Sequence, residues 1–544
     1  MIEQPFERLL EALSKPEAFP EEPAAISCVQ THISAVFLLD EVVYKVKKPK
    51  KLPFLDFTTP ERRRHFCHEE VRLNRKLAPD IYQGVAPILV EGGVVRVSPQ
   101  IVESPTEEVS GEVVDWAVKM VRLPEDRTLD RLVEAGRIGS NEMSDLAKQL
   151  ARFHDLAERG EEISRAASWE AVSRIGVENF DQVRAFVGKT ISSEVFEKLY
   201  DLSQHELRVR RSTIDGRARG GAAREIHGDL RLEHVYLLPR GAEPGQDHGF
   251  IAIDCVEFDE RFRWADPVAD IAFLVMELEF IERSDLAVEF ARQYFLAAED
   301  PGGERLLPFY STYRDVVRGK VRSLQSSDPL LGRAARERAA EKATKHFMRG
   351  LSRLSSPEDR PAIVVVQGLP GVGKSTIAKG LAESLGFRWI DTDRVRKALF
   401  GPVDQGSGPE SFGQGMYSSE WTDRTYRECG VRARETVWRG GRVLIEGSFR
   451  WERHRASIRD AGRVLGVPVV FLDCSVSRDE ARRRITERAP GPSDADWRVH
   501  LQMASDWESP SECTARYTRR LSLAGDPADA IARARTVLGL EGLA

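Results

Sequence analysis

Residues 363–386 read IVVVQGLPGVGKSTIAKGLAESLG. The apolar run Ile363 to Val366, bounded by glycine, fits a buried strand, and the residues after Lys374 repeat at helical spacing. Between them Gly368, Gly373, Lys374 and Ser375 satisfy GxxxxGK[ST]. In such a loop glycine lets backbone N–H groups close around phosphates, and the following helix adds its N-terminal dipole. Gly368, Gly371, Gly373, Lys374, Ser375 and Thr376 are therefore candidate nucleotide-binding residues. Lys374 is placed to reach the β- and γ-phosphates, and Ser375 to ligate magnesium.

Downstream, the runs IVVVQ, FRWID, RVLIEG and PVVFLDC each precede a helical pattern. That alternation predicts an α/β domain with a parallel sheet. Upstream, Ser-Ser-Pro-Glu-Asp-Arg-Pro at 355–361 has the composition of a linker, which predicts domains of 1–357 and 358–544. Asp393 and Arg396 follow the strand ending at Asp391, at the carboxyl end of a sheet strand, where ligands of open α/β sheets bind. The strand VLIEGSF ends in Glu446, and a capping-box pair, Ser477 and Glu480, opens a helix carrying Arg482, Arg483 and Arg488. This region resembles the P-loop kinases of the gluconate kinase, chloramphenicol phosphotransferase, zeta toxin and polynucleotide kinase branch. The resemblance implies ATP and Mg2+, Asp393 as the acceptor-side base or anchor and Arg396 as an acceptor-binding residue. It further implies Glu446 as a metal holder through water, and Arg482, Arg483 and Arg488 as lid cations that neutralise the transferring phosphoryl group, with Lys374. Asp393 also fits a helix N-cap, and the two roles are compatible.

In the first part, Arg224 to Leu238 read REIHGDLRLEHVYLL, with His227, Asp229 and His234 spaced as HxD and a later ligand position. VYLL and GFIAI, joined by turn residues, predict a hairpin that sets His234 beside Asp254 at its open end. In VVYKVKK, alternation puts Val42, Tyr44 and Val46 on one face and Val43, Lys45 and Lys47 on the other. Glu70 falls on the apolar side of the helix that Thr59-Pro60 opens, where a carboxylate calls for a buried partner. Lys45 is the expected partner, and Glu69 the alternative carboxylate. These residues resemble the aminoglycoside phosphotransferase and choline kinase group of protein-kinase-like folds. That implies an α+β domain with an N-lobe over about 25–122 and a C-lobe over about 123–345. It implies Asp229 as catalytic base, Asp254 and His234 as metal ligands, Lys45 and Glu70 as the phosphate-holding pair, and backbone from Met120 to Leu123 facing adenine. Asp266 and Asp270 read as structural. The sequence departs from the group twice: no GxGxxG precedes Lys45, only QTHIS with the Thr31 and Ser34 hydroxyls, and His234 stands where Asn is usual. Arg314, Arg318 and Lys320 read either as an anion grip or as a solvated basic face.

The net charge of −6 divides into 28 basic and 24 acidic residues (+4) over 361–544, and 52 against 62 (−10) before it. The balance speaks against a general nucleic-acid binder but leaves a polyanionic acceptor open for the second domain. Six scattered cysteines form no CxxC pair, and no apolar run approaches a membrane span, so a cytoplasmic protein is expected. The expected function is a magnesium-dependent phosphotransferase, bifunctional in its two nucleotide sites, with ATP as the expected nucleotide and GTP the alternative to it. A small hydroxyl compound is the expected acceptor. Two alternatives stand beside it: an RNA, polynucleotide or nucleotide-sugar kinase in the second domain, and a degenerate first domain acting as a ligand sensor.

Overall fold

The computed structural model describes residues 3–52, 55–239, 249–329, 331–400, 415–487 and 496–544. The chain packs as two compact units, Met1–Ser173 with Arg210–Ser311, and Arg174–Val209 with Thr312–Ala544. The cut expected at 357 therefore falls inside the second unit.

The first unit holds a six-stranded sheet: β1 (Ser27–Gln30), β2 (Ser34–Leu38), β3 (Val42–Lys47), β4 (Tyr82–Glu91), β5 (Val94–Val97) and β6 (Glu112–Val121). Its order is β1-β2-β3-β6-β4-β5, and every pairing is antiparallel. The pleat sorts side chains as alternation requires. Tyr44 and Val46 pack with Phe37, Ala86 and Ile88, while Val43 packs with Cys67, Val71 and Trp116. Cys67 and Val71 belong to helix α1 (Pro60–Asn74), whose N-cap Thr59 accepts the Arg62 N–H at 3.3 Å. The face carrying Val43, Lys45 and Lys47 thus looks onto α1. Beyond β6 the unit is mainly helical, with a two-stranded hairpin, β7 (Val235–Leu237) and β8 (Phe250–Ala252). Among its helices are α2 (Val268–Phe280) and α3 (Ser284–Ala297), separated where Glu282 takes a left-handed φ of 65°.

The second unit is built on five parallel strands: β9 (Ala362–Gln367), β10 (Arg388–Asp391), β11 (Arg442–Glu446), β12 (Val469–Ser475) and β13 (Thr518–Ser522). Their order is β10-β11-β9-β12-β13. Every residue of β9 is buried, so the sheet needs cover on both faces. Ala362, Val364 and Val366 pack with Ile377, Leu381 and Leu538. Ile363 and Val365 belong to a cluster that takes in Val195, Phe196 and Leu199 of helix Ser193–Val209, and Phe347, Met348 and Leu351 of helix Arg333–Leu354. Each such side chain gains about 1.5–3 kcal/mol on burial. A unit beginning at residue 358 would surrender that cover, which is why earlier helices pack here. The basic stretch at 314–320 also lies in this unit. Arg314 and Arg318 are buried, so it is not a solvated face. Lys320 donates to Asn179 Oδ1 at 2.6 Å, and burial pulls its ammonium down to about 8.

Candidate active sites

In the second unit the loop after β9 is shaped by contacts only glycine permits. A Cβ on Gly368, at φ 141°, would lie 2.5 Å from the Cys474 carbonyl oxygen. Lys374 opens helix α4 (Lys374–Leu385), and its Nζ donates to Leu369 O at 2.9 Å. Ser375 Oγ donates to Glu446 Oε1 at 2.7 Å. Glu446 ends β11 in register with Val366 of β9 and Asp391 of β10, so the parallel sheet itself brings the loop and these carboxylates together. Burial pushes the Glu446 carboxyl above its usual value, against the pull of Lys374 and Ser375. Its Oε2 is buried without a hydrogen-bond partner among the described residues. A hydroxyl and a buried carboxylate oxygen with spare acceptor capacity form an oxygen donor set that fits Mg2+.

On the next strand the capping residue is Asp391, which accepts the N–H groups of Asp393 (2.8 Å) and Arg394 (3.2 Å). The cap role considered for Asp393 belongs to its neighbour, and the Asp393 carboxylate is left for another use. Burial raises its pKa, with Arg396 Nε 4.0 Å away opposing the shift. Arg396, on helix α5 (Thr392–Phe400), is buried and donates through Nη1 to Met416 O and Thr422 Oγ1, both at 3.1 Å.

The three arginines expected in a lid divide. On helix α6 (Arg478–Glu487), Arg483 is exposed and paired with Glu480 and Glu487 at 2.8 Å, so it is not brought to the phosphate loop. Arg482 lies 5.8 Å from the Trp497 ring, and Arg488 falls outside the described residues. Arg484, which the sequence reading passed over, donates to Val372 O within the loop at 2.9 Å and to Leu523 O at 3.0 Å. Ala481 and Ile485, on the same helical face, sit against Gly371, where a Cβ would meet Ile485 at 2.5 Å. That apolar pair was the signal that distinguished Arg484 from its two neighbours.

In the first unit Lys45 Nζ bridges Glu70 Oε1 at 2.8 Å and Asp254 Oδ1 at 2.5 Å. Lys47, two residues on and fully buried, pairs with Glu70 Oε2 at 2.7 Å and with Glu257. Lys47 and Glu257 were missed, although alternation had put Lys47 on the face of Lys45. Burial works against both ammonium charges, yet Asp254 holds Lys45, and Glu257 holds Lys47, above the ordinary lysine value. Glu69 instead pairs with Arg72, at 2.9 Å.

The expected hairpin is present, with Val235 opposite Ala252 and Ile253 N–H donating to His234 O at 3.0 Å. It sets His234 Nε2 3.6 Å from Asp254 Oδ2. His234 Nδ1 lies 2.9 Å from the Asp229 carbonyl oxygen, an acceptor only, so Nδ1 carries the proton in that bond. In the neutral ring the Nε2 lone pair then faces Asp254. Asp254 itself has φ 65°, and its N–H donates to Tyr82 Oη at 3.2 Å. Burial opposes its ionisation, but Lys45 and then His234 hold the carboxyl well below the usual range. Asp270 accepts the N–H groups of His227 and Gly228 at 2.7 and 2.9 Å, and Asp266 accepts Arg217 Nε at 2.6 Å, both structural roles. Met120 lies inside β6, between β3 and β4, and Leu123 packs just beyond that strand. The Thr31 hydroxyl is bound within the β1–β2 turn, accepting Ser34 N–H at 2.9 Å, and Ser34 Oγ is buried. Neither hydroxyl is presented as a phosphate contact.

Glu225 ties this region together, bonding Arg72 at 3.1 Å, Lys76, and Arg263 at 3.3 Å. Burial opposes its ionisation, but Arg72 and Lys76 hold the carboxyl down at about 2. A depressed carboxyl contributes stability above its unfolded value of about 4.3 and loses it as pH falls. Glu225→Gln is therefore expected to flatten the loss of urea midpoint between those two pH values. An unchanged acid slope would contradict the assignment.

Over most of its length the chain is similar to uncharacterized protein Rv2004c of Mycobacterium tuberculosis, with 30% identity over 483 residues, 88% of this chain and 90% of that one. It belongs to the Rv2004c family. Within this Rv2004c-family chain, residues 363–510 match the family described as an AAA domain, a span that contains Gly368, Lys374, Asp393, Glu446 and Arg484. Shikimate kinase of Geobacter sulfurreducens is 31% identical over 131 residues, 24% of this chain and 67% of that enzyme. A solved choline/ethanolamine kinase family protein from Mesorhizobium loti superposes with a TM-score of 0.35 at 13% identity, covering 64% of this chain and 98% of its own. No helix among the described residues is long and apolar enough to cross a membrane.

Proposed function

We propose that the protein is an ATP-dependent phosphotransferase whose second unit moves the γ-phosphoryl group to a hydroxyl of a small polar molecule. The observation that carries this reading is the meeting of Ser375, Glu446, Lys374 and Asp393 at the carboxyl ends of three adjacent parallel strands. The AAA-domain match and the similarity to a shikimate kinase support it. In the reaction Asp393 takes the proton of the acceptor hydroxyl as that oxygen bonds the γ-phosphorus, and the bond to the β–γ bridging oxygen breaks to leave ADP. Lys374 and the loop N–H groups hold the phosphates, and Arg396 orients the acceptor. Ser375 and Glu446 would hold Mg2+, which would supply charge neutralisation on the phosphates. Arg484 braces the phosphate loop against β13's end.

The first unit is proposed as a second nucleotide site, with Asp229 as base and Lys45 and Glu70 on the phosphates. A sensor reading of this unit is favoured by the Thr31 and Ser34 hydroxyls, which are taken up in the turn and the core. A screen of small hydroxyl compounds, nucleotide sugars and RNA with labelled ATP, run on wild type, Lys374→Ala and Asp229→Ala, tests both. Every product is expected to vanish with Lys374→Ala or with Asp229→Ala. Products that survive both substitutions would defeat the phosphotransfer reading, and loss with Asp229→Ala alone would defeat the sensor reading.

A further inference from the structure

Among the buried side chains of the second unit, His500 takes no part in the proposed phosphotransfer, yet it touches the phosphate loop. It lies on helix α7 (Trp497–Ser505), whose N-cap Asp496 accepts the Val499 N–H at 2.9 Å. One turn earlier on that helix, Trp497 stacks on the imidazole, with ring centroids 4.6 Å apart and planes 17° from parallel. Arg478 and Arg482 of α6 lie 5.9 and 5.8 Å from the Trp497 ring. The stack restrains the imidazole plane, and in that plane Nδ1 lies 2.8 Å from the Pro370 carbonyl oxygen. A carbonyl only accepts, so Nδ1 carries the proton in this bond.

Pro370 belongs to the loop between β9 and α4, and its carbonyl shares a peptide unit with the Gly371 N–H. In a planar trans peptide those two bonds point in opposite directions. Holding the carbonyl toward α7 therefore turns the Gly371 N–H away from α7. The same holds two residues on, where Arg484 Nη1 donates to Val372 O at 2.9 Å and so turns the Gly373 N–H away from α6. Both glycines stand at left-handed φ, 84° and 105°. Glycine resists rotation of its flanking peptide planes least, so bonds from outside the loop decide how these planes lie. Neither N–H donates to a backbone oxygen among the described residues. Leu369 O, held by Lys374 Nζ at 2.9 Å, differs, because it shares its peptide with Pro370, which has no N–H to aim.

We infer that His500 is a positioning residue of the phosphate loop: with Arg484 it pins two alternate peptides, so that Gly371 and Gly373 present their N–H groups together to the β-phosphate of the nucleotide. This rests on the reading of the loop as the nucleotide site of the second unit and deepens it. Donors fixed before the anion arrives cost no reorganisation when it binds. The grip comes from outside the loop, one carbonyl from α6 and the other from α7.

The test uses the full chain in an Asp254→Asn background, which weakens the metal–nucleotide binding proposed for the first unit. Displacement of a fluorescent ADP analogue by ADP and by AMP is read with Mg2+ present. His500→Phe keeps a ring against Trp497 and removes the donor. Its affinity for ADP is expected to fall about 10-fold, and that for AMP, which has no β-phosphate, to stay within about twofold. His500→Asn places an amide N–H where Nδ1 stood and is expected to restore ADP affinity to within about twofold of the parent. If His500→Phe does not fold, His500→Gln serves, since its amide lies one bond further out, past Pro370 O, and the same selective loss is expected. Unchanged ADP affinity, equal losses for ADP and AMP, or a His500→Asn variant that restores nothing would overturn the inference and leave the nucleotide reading standing. A Lys374→Ala variant that binds ADP as the parent does would remove that reading and the inference together.

Discussion

Replacing Asp393 by asparagine is expected to lower kcat of the second unit about 100- to 10,000-fold, with nucleotide affinity unchanged. The change is nearly isosteric, and the helix cap is safe because Asp391, not Asp393, holds the first N–H groups of α5. What the proposed reaction loses is its proton acceptor. Burial raises the Asp393 carboxyl above the ordinary aspartate value, which brings it nearer to the pH at which a general base works best. The sign of the pH dependence follows. The carboxylate is the active form, so wild-type kcat falls as pH drops through this raised value, and that limb disappears in the Asp393→Asn profile. A variant within threefold of wild type, or one that keeps the acid limb, would reduce Asp393 to an anchor. An effect confined to KM would say the same.

The contrast between what the chain announced and what it concealed follows the range of the interactions. Lys45 and Glu70 were legible because two local periods, one of strand and one of helix, point at the same gap, and a carboxylate on an apolar face must find a cation. His234 beside Asp254 was legible because a hairpin converts a sequence interval into a spatial pair. Lys47 and Glu257 were available by the same alternation, but the first pair had already satisfied the argument for Glu70. The structure shows Glu70 serving both lysines, one through each oxygen. Asp391 and Asp393 could not be ranked from DTD, since a cap is a matter of backbone position. The division of the chain was hidden most deeply. Nothing local in 193–209 or 333–354 states which sheet these helices cover, because their apolar stripes are generic and their partners lie in β9, beyond the linker.

His234→Asn is expected to change the metal preference of the site proposed in the first unit. The bond from His234 Nδ1 to Asp229 O fixes the proton on that nitrogen and leaves Nε2 toward Asp254, 3.6 Å from Oδ2. An imidazole nitrogen beside one carboxylate is a mixed donor set. It suits Mn2+ or another transition ion better than Mg2+, which prefers oxygen and sheds water reluctantly. Asparagine would restore an oxygen donor, and the ratio of Mg2+ to Mn2+ affinity should rise about 10- to 100-fold. The measurement needs no turnover. In the Lys374→Ala background, which weakens nucleotide binding at the second site, Mn2+ bound with an ATP analogue should show nitrogen coupling in pulsed electron paramagnetic resonance, absent in His234→Asn. Coupling without change in the affinity ratio would keep His234 as a ligand and discard its role in metal choice. No bound Mn2+ in either protein would favour a different account, in which the Lys45–Asp254 pair, at 2.5 Å, keeps the carboxylate for itself and the unit senses ligands without transferring phosphate.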